Sequence, residues 1–231
     1  MSKKQRISIA IDGPAGAGKS TLARLLSEQF HLMYIDTGAI YRCVGLFVRD
    51  HGADPEDVAA VEALLPELDI VLRHEDGLQR MFVGGEDVTD AIRLPDVSMY
   101  ASSVSAIPAV RAFLLDMQRA FAREYDVVMD GRDIGTVVLP DASMKIFLTA
   151  TAEDRAGRRY EELCSRGVAT TYEDVFNDIM RRDENDSSRA TSPLKPAEDA
   201  VILDTTGNSL NRSRELLISL VKEKLAHVGV L

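Results

Sequence analysis

The stretch ISIAIDGPAGAGKST, residues 7–21, contains the signal that decides the fold. A short apolar run at 7–11 is followed by a glycine-rich segment, and residues 13–20 match the pattern GxxxxGKS in full. Between a buried strand and a helix, such a segment is typical of a phosphate-binding loop. Its glycines let the backbone approach phosphate oxygens, and the dipole of the following helix favours an anion. We therefore predict a P-loop NTPase fold.

The loop also predicts how a nucleotide binds. The pattern places Lys19 near the β- and γ-phosphates and Ser20 where its hydroxyl can ligate Mg²⁺. The alternative is a turn that binds nothing, which the complete match and its flanking strand and helix disfavour. The residues predicted to hold the nucleotide form one run: Gly13, Pro14, Ala15, Gly16, Ala17, Gly18, Lys19, Ser20 and Thr21.

The loop does not decide what the nucleotide is used for. Switch GTPases, motor ATPases and small-molecule kinases all share it. The sequence has no Asn-Lys-x-Asp element of the kind that recognises guanine, so an adenine nucleotide is favoured. A non-catalytic regulator or an ATP-driven assembly protein is the rival from another class.

The rest of the chain alternates short apolar runs with segments of helical period, which predicts an α/β fold. We expect a parallel five-stranded sheet with strands at 7–11, 32–35, 127–129, 144–148 and 201–203. Flanking helices are expected at 19–30, 40–49, 109–123, 153–165, 172–182 and 210–226. Residues 69–90 differ, because apolar runs at 70–72 and 81–83 surround Asp76-Gly77 and are followed by Gly84-Gly85 and Val88. They predict a small antiparallel insert.

Composition limits the class of protein. The chain has 231 residues, 45% of them hydrophobic, and a formal net charge of −10, which disfavours a nucleic-acid or anionic-membrane partner but allows small anionic substrates. Cys43 and Cys164 are isolated, which is typical of a reducing cytoplasm. No apolar run approaches the roughly 18–20 residues that cross a bilayer. We expect a soluble, cytoplasmic protein, a monomer.

Two charged segments follow predicted strands. In residues 36–42, Thr37 could cap a helix, and Arg42 near its start is unfavourable unless an anion lies nearby. In residues 130–135, Asp130 could assist Mg²⁺ binding, while the next charged residues, Arg132 and Asp133, could recognise a phosphate and a base amino group. A turn with a local salt bridge is the alternative for this second segment.

Two further groups of charged residues have helical spacing. Arg155, Arg158 and Arg159 lie at i, i+3 and i+4, where they could contact ATP phosphates or pair with neighbouring acidic residues on a solvated face. The second group is Arg182, Asp186 and Arg189, which share one face if the helix continues through them. It suits a ribose hydroxyl beside a phosphate, whereas a surface ion-pair ladder is the alternative.

Residues 9–21, 36–42, 130–138 and 192–194 together resemble the bacterial cytidylate kinases, a family of P-loop nucleoside monophosphate kinases. The resemblance covers almost the whole chain and implies an adenylate-kinase-like fold that transfers phosphate from ATP to CMP or dCMP with Mg²⁺. It implies one kinase unit, 1–231, with a core at 1–36, 105–150 and 195–231. The monophosphate-binding region would be 37–104, including the insert, and a helical lid about 151–190.

The resemblance also implies residue roles. Arg42, Arg132 and Arg189 would bind the acceptor phosphate, Asp186 and Arg182 the ribose, and Ser102, Arg111 and Asp133 the cytosine, in a pocket also lined by Thr37, Tyr41 and Gly131. The catalytic set would be Lys19, Arg132, Arg155, Arg158, Arg159 and Arg189, and the metal-binding pair Ser20 and Asp130. A kinase for another monophosphate such as UMP, or for a small hydroxyl substrate, remains the alternative.

Overall fold

The computed structural model describes residues 6–75 and 77–227. Its strands are β1 (Ser8–Asp12), β2 (Met33–Asp36), β3 (Ile70–Glu75), β4 (Leu78–Val83), β5 (Glu86–Asp87), β6 (Val127–Gly131), β7 (Met144–Thr149) and β8 (Val201–Asp204). The α-helices are α1 (Lys19–Phe30), α2 (Thr37–Asp50), α3 (Val58–Leu64), α4 (Pro95–Val104), α5 (Pro108–Glu124), α6 (Ala152–Ser165), α7 (Tyr172–Ser188) and α8 (Leu210–His227). Contacts between residues divide the chain into two compact units, the first comprising residues 1–34 and 122–231 and the second residues 35–121.

A five-stranded sheet has the strand order β2-β6-β1-β7-β8. β1 pairs in parallel with β6 and β7, and β7 pairs in parallel with β8. The central strand β1 is apolar and buried because helices cover a parallel sheet on its faces. Its side chains pack with those of α1, β7 and α8, including Ile9, Ile11, Leu22, Leu26, Ile146, Leu148, Leu217 and Val221. The predicted α/β fold with five parallel strands is confirmed.

The carboxyl end of β1 is closely packed. Asp12 is in register with Gly131 of β6, so the loop after β1 and the loop after β6 leave the sheet side by side. Gly13 has φ 153°, and a Cβ there would lie 2.0 Å from the carbonyl oxygen of Leu148 on β7. Only glycine fits this close approach, and ligands bind at such strand ends in α/β proteins.

The second unit contains the antiparallel sheet. β3 pairs with β4 from Ile70 opposite Val83 to Glu75 opposite Leu78, which confirms the predicted insert. The third strand is β5, which pairs with β4 just before Val88. Asp76 of the predicted turn lies outside the described residues.

The helices α3 and α4 were not predicted. In α4 the buried residues Val97, Ala101 and Val104 have helical spacing, but small polar residues between them weaken the apolar pattern. The helix packs against α2 at Gly45, where a Cβ would lie 2.7 Å from the backbone nitrogen of Ala101. Within the described residues no single helix could span a membrane, and only α4 and α5, bent by 101°, pass that test together.

The two cysteines lie in different surroundings. Cys43 on α2 is fully buried, and burial raises the pKa of its thiol to about 12. Cys164 on α6 is exposed. Both are free thiols.

Candidate active site

The phosphate-binding loop connects β1 to α1. Gly16 and Gly18 have φ values of 75° and 87°, in the region that favours glycine. Gly18 lies at the start of α1, and no side chain caps that helix end. The first N–H groups of α1 therefore face the loop without a side-chain acceptor, which is the arrangement that binds phosphate at a helix N-terminus.

Lys19 is almost fully buried at the base of this loop. Its Nζ donates a hydrogen bond to the carbonyl oxygen of Pro14 at 2.7 Å, across the loop. Burial and the nearby Arg132 charge lower its pKa to about 7, against the opposing effect of Asp130 and Asp186. A phosphate placed in the loop would favour the charged ammonium, so the lysine is suited to an anionic ligand.

Ser20, Tyr34 and Asp130 form a partly buried cluster of oxygen atoms beside the loop. The Ser20 hydroxyl donates to Oδ2 of Asp130 at 2.8 Å, and the Tyr34 hydroxyl donates to Oδ1 at 2.9 Å. Hydroxyl and carboxylate oxygens are the ligands that Mg²⁺ prefers, and Mg²⁺ usually takes one or two of them besides phosphate and water. The part of the chain that the structure describes contains no group of three or more His, Cys, Asp or Glu side chains that could hold a metal ion.

Asp186 joins two of the predicted arginines. Its Oδ2 accepts from Nε of Arg132 at 2.6 Å, and its Oδ1 accepts from the guanidinium of Arg189. Burial alone would raise the pKa of Asp186, but the two arginines outweigh it and lower the pKa below its ordinary value. Helix α7 ends at Ser188, so the expected shared helical face is wrong for Arg189, which reaches Asp186 from just beyond the helix.

Strand β6 ends at Gly131, and the loop that follows carries Arg132 and Asp133. Asp133 is buried and precedes a single π-helical turn, Ile134–Val138, whose Val137 N–H donates to the Asp133 carbonyl oxygen at 2.9 Å. The Gly131 carbonyl oxygen accepts from Nη1 of Arg132 at 3.2 Å. The structure therefore brings these three residues together with Lys19, Asp130, Asp186 and Arg189 in the first unit.

One buried residue of this region was missed by the sequence analysis. Asp12 is 4% exposed, and its two carboxylate oxygens accept from the backbone nitrogens of Ile134 and Gly135, each at 2.7 Å. Burial raises its pKa to about 6 against the opposing effect of these hydrogen bonds. The available signal was a charged residue that ends an otherwise apolar strand.

The three arginines of α6 have different surroundings. Arg155 is buried and donates to the carbonyl oxygens of Ala150 and Ala15 at 2.9 and 2.8 Å, and it pairs with Asp183 of α7 at 2.6 Å. It thus connects the phosphate-binding loop to both helices. A Cβ on Gly16 would lie 3.2 Å from Cβ of Arg155, so the loop packs directly on α6.

The other predicted arginines of this segment form local ion pairs. Arg158 pairs with Asp154 and donates to the carbonyl oxygen of Thr205 at 2.6 Å. Arg159 and Arg182 pair with acidic residues of their own helices, Glu162 at 2.8 Å and Asp178 at 2.9 Å. For Arg158 and Arg159, the structure therefore shows the alternative named from the sequence, which was ion pairing with neighbouring acidic residues.

In the second unit, two of the three predicted base-binding residues, Ser102 and Arg111, are linked through Ser105. Arg111 is buried, and its Nη1 donates to the carbonyl oxygen of Ser105 at 3.0 Å. Ser105 in turn donates its hydroxyl hydrogen to the carbonyl oxygen of Ser102. The Arg111 guanidinium carbon lies 5.3 Å from the ring centre of Tyr41, within cation–π distance.

The start of α2 differs from the expectation in one respect. Asp36, not Thr37, caps the helix, because its Oδ1 accepts from the backbone nitrogen of Ala39 at 3.0 Å. Thr37 is the first helical residue and is buried. Arg42 lies one turn later on the same helix, and Nη1 of Arg42 would be 3.9 Å from a Cβ on Gly38.

A parallel sheet whose first strand leads through a glycine-rich loop into a helix defines the P-loop nucleotide-binding proteins. Arginines close to the phosphate site, such as Arg132 and Arg189, are typical of the kinases among them. The cytidylate kinase family model matches residues 9–223, so the chain belongs to the cytidylate kinase family. It is 49% identical to a cytidylate kinase of Caldicellulosiruptor bescii, over 96% of this chain and 100% of that one.

Other comparisons agree. A cytidylate kinase of Carboxydothermus hydrogenoformans is 46% identical, over 94% of this chain and 97% of the relative. A solved structure of an uncharacterised protein from Eubacterium ventriosum has the same fold, with a TM-score of 0.53 at 14% identity and coverage of 95% of this chain and 99% of that one. The resemblance identified from the sequence is confirmed.

Proposed function

We propose that this protein transfers the γ-phosphoryl group of ATP to CMP or dCMP, giving ADP and CDP or dCDP, in pyrimidine nucleotide metabolism. The observation that carries the proposal is the joint presence, in one compact unit of a cytidylate kinase family member, of the Lys19 loop and the Arg132–Asp186–Arg189 cluster. The first supplies a donor-phosphate site and the second an acceptor-phosphate site.

The donor phosphates would bind against the N–H groups of residues 13–21. Lys19 would exchange its hydrogen bond to the Pro14 carbonyl for a phosphate oxygen, and the phosphate charge would hold the ammonium protonated. The Ser20 hydroxyl and the Asp130 carboxylate, 2.8 Å apart, suit a Mg²⁺ ion that also binds phosphate oxygens. When bound, this ion would offset charge on the transferring group.

The acceptor phosphate would bind to Arg132 and Arg189. Asp186 holds both guanidinium groups in place, so that neither must be ordered when the substrate arrives. We assign the ribose contact to Asp186 and Arg182, and a further phosphate contact to Arg42. The nucleophile is an ionised phosphate oxygen of the substrate, so the protein needs no general base.

Cytosine recognition is assigned to three residues: Ser102, Arg111 and Asp133. A carboxylate accepts a hydrogen bond from the exocyclic amino group of cytosine, whereas uracil offers only a carbonyl oxygen at that position. Contacts to the substrate are also assigned to Tyr41, Thr37 and Gly131. The lid arginines, Arg155, Arg158 and Arg159, would add positive charge near the transferring group. We further propose a cytoplasmic monomer with no nucleic-acid or membrane partner.

The first experiment compares acceptors. The purified protein is incubated with MgATP and CMP, dCMP, UMP, AMP, GMP or no acceptor, and ADP formation is followed. Fast turnover with CMP and dCMP alone is the expected result. Greater turnover with UMP or another acceptor would show that CMP is not the preferred substrate. ADP formation without any acceptor would show that the protein hydrolyses ATP and does not transfer its phosphate.

The assignment of Asp133 is tested by Asp133→Ala. Loss of a hydrogen bond to a charged group should lower kcat/KM for CMP by about 10- to 100-fold and leave that for UMP nearly unchanged. The selectivity for CMP over UMP should therefore narrow. Asp141→Ala, the same change at an exposed position, is the control. Equal selectivity in both variants would remove Asp133 from base recognition.

A further inference from the structure

The side chain of Asp12 continues the pairing of β1 and β6 beyond the last backbone pair. Asp12 is in register with Gly131, and its carboxylate then binds the N–H groups of Ile134 and Gly135 at 2.7 Å each. Both oxygens are used, one for each donor. The contact joins two segments more than 120 residues apart in the chain.

The segment that Asp12 holds includes the proposed acceptor-binding residues. Ile134 and Gly135 open the π-helical turn, and the turn returns a hydrogen bond from Val137 to the Asp133 carbonyl oxygen. With both ends of this short turn fixed, the backbone of Asp133 has little freedom. The Asp12 carboxylate therefore helps to fix the backbone of the loop that carries Asp133 and its neighbour Arg132.

The other side of Asp12 is equally constrained. The next residue, Gly13, begins the phosphate-binding loop and lies directly against the carbonyl oxygen of Leu148. Gly135 lies between Asp12 and Lys145, because a Cβ there would be 3.3 Å from Oδ2 of Asp12 and 3.2 Å from the Lys145 stem. One buried carboxylate thus joins the start of the donor loop to the acceptor loop.

A buried carboxylate is an expensive way to make two hydrogen bonds. The two donors belong to the loop after β6 and not to the sheet, so what the carboxylate holds is that loop. We propose that Asp12 is a positioning residue that sets the geometry of the Arg132–Asp133 loop against the phosphate-binding loop, and with it acceptor affinity and base selectivity. This inference rests on the function proposed above.

The test is Asp12→Asn, which conserves volume. An asparagine can accept from only one of the two N–H groups, and its own amide hydrogens face the other. We expect KM for CMP to rise about 10-fold or more and the preference for CMP over UMP to fall, as one charge-assisted hydrogen bond is lost. KM for ATP should stay close to that of the wild type, while the melting temperature should fall by a few degrees because one backbone N–H loses its acceptor. Asp141→Asn is the exposed control.

The pH dependence separates positioning from a general structural defect. Because burial raises the pKa of Asp12 to about 6, wild-type Asp12 is protonated below that pH and loses one acceptor, as the variant has done permanently. The ratio of wild-type to variant kcat/KM for CMP should therefore be largest above pH 7 and approach one below pH 6. Titration of the substrate phosphate affects both proteins and cancels in the ratio.

The charged groups around Asp12 also affect the pH at which it ionises. Asp133 opposes ionisation of Asp12 and Lys19 favours it, whereas the Lys145 ammonium is engaged by Asp199 at 2.8 Å.

If Asp12→Asn does not fold, Gly135→Ala perturbs the same contact from the turn and should give the same loss of selectivity. Unchanged KM and selectivity for CMP, or equal increases in KM for ATP and CMP, would overturn the inference. A wild type that does not use CMP would instead overturn the proposed function.

Discussion

The base of the site and the helices of the proposed lid, α6 and α7, both lie in the first unit but are built in different ways. At the base, hydrogen bonds join residues far apart in sequence, such as Ser20 with Asp130 and Asp12 with Gly135. In α6 and α7, most ion pairs join residues three or four positions apart on the same helix, as Arg159 does with Glu162. The helices share only a small core of their own, formed by Ala156, Val175 and Ile179.

The difference shows where geometry is fixed and where it can change. Groups held by buried contacts between distant segments keep their positions until the unit unfolds. Local ion pairs at partly exposed positions contribute little and exchange easily for other anions. We therefore expect the base to present a prearranged phosphate site, and Arg159, whose ion pair is local, to exchange its acidic partner readily for a nucleotide.

Lys19→Ala should have the largest effect on activity. Removing one charge that stabilises the transferring phosphoryl group typically lowers kcat by about 100- to 1,000-fold. The protein should stay folded, since the variant also removes a buried ammonium whose pKa is already lowered to about 7. Steady-state ADP formation and circular dichroism measure the two effects.

The matched control for that variant is Lys222→Ala, the same change at an exposed position of α8. It should leave kcat unchanged. Near-normal turnover of Lys19→Ala would show that the loop does not act on the transferring phosphate.

A pair of glycine variants compares the rigidity of the two regions. Gly13→Ala places a Cβ 2.0 Å from the Leu148 carbonyl oxygen, which should lower the free energy of unfolding by about 2–3 kcal/mol or displace the loop. Gly167→Ala, between α6 and α7, has a φ of 73° and meets nothing within 4 Å, so only backbone strain of about 1 kcal/mol is expected.

Urea unfolding of the two variants measures this difference. Equal destabilisation by both would mean that the base is no more constrained than the connection between the lid helices.

Arg155→Lys and Arg159→Lys compare a buried with an exposed arginine of one helix. A lysine at position 155 cannot reach Ala150, Ala15 and Asp183 together. The free energy of unfolding should therefore fall by about 1–2 kcal/mol. At 159 the change should stay within about 0.5 kcal/mol, because the pair with Glu162 is exposed.

Melting temperatures without nucleotide measure this last contrast. A smaller loss at 155 than at 159 would contradict the connection that Arg155 makes between the loop and the lid helices.

The sequence sufficed for the features that local patterns encode. The glycine spacing of residues 13–20 and the apolar strands around it predicted the loop, the parallel sheet and most helix positions. The choice between two adjacent candidates for one helix cap was harder to predict. Either Asp36 or Thr37 can cap α2, and only the backbone geometry shows that Asp36 does. The helix α4 was missed because small polar residues dilute its apolar face.

Local sequence patterns could not predict hydrogen-bond partners that lie far apart in the chain. The spacing of Arg155, Arg158 and Arg159 places them on one helical face, but the burial of Arg155 depends on Ala15, 140 residues away. Asp12 shows the same limit, since its donors at 134 and 135 adjoin it only after β1 and β6 pair. The roles of the individual site residues stay predictions until the variants are measured.

The contrast between the two cysteines has a practical consequence. At neutral pH the Cys43 thiol is both shielded and protonated, whereas Cys164 is open to reagents on α6. A maleimide fluorophore should therefore attach to the natural sequence at Cys164 in preference to Cys43. Its emission would then report optically on the surroundings of α6 as nucleotides are added, without any engineered residue.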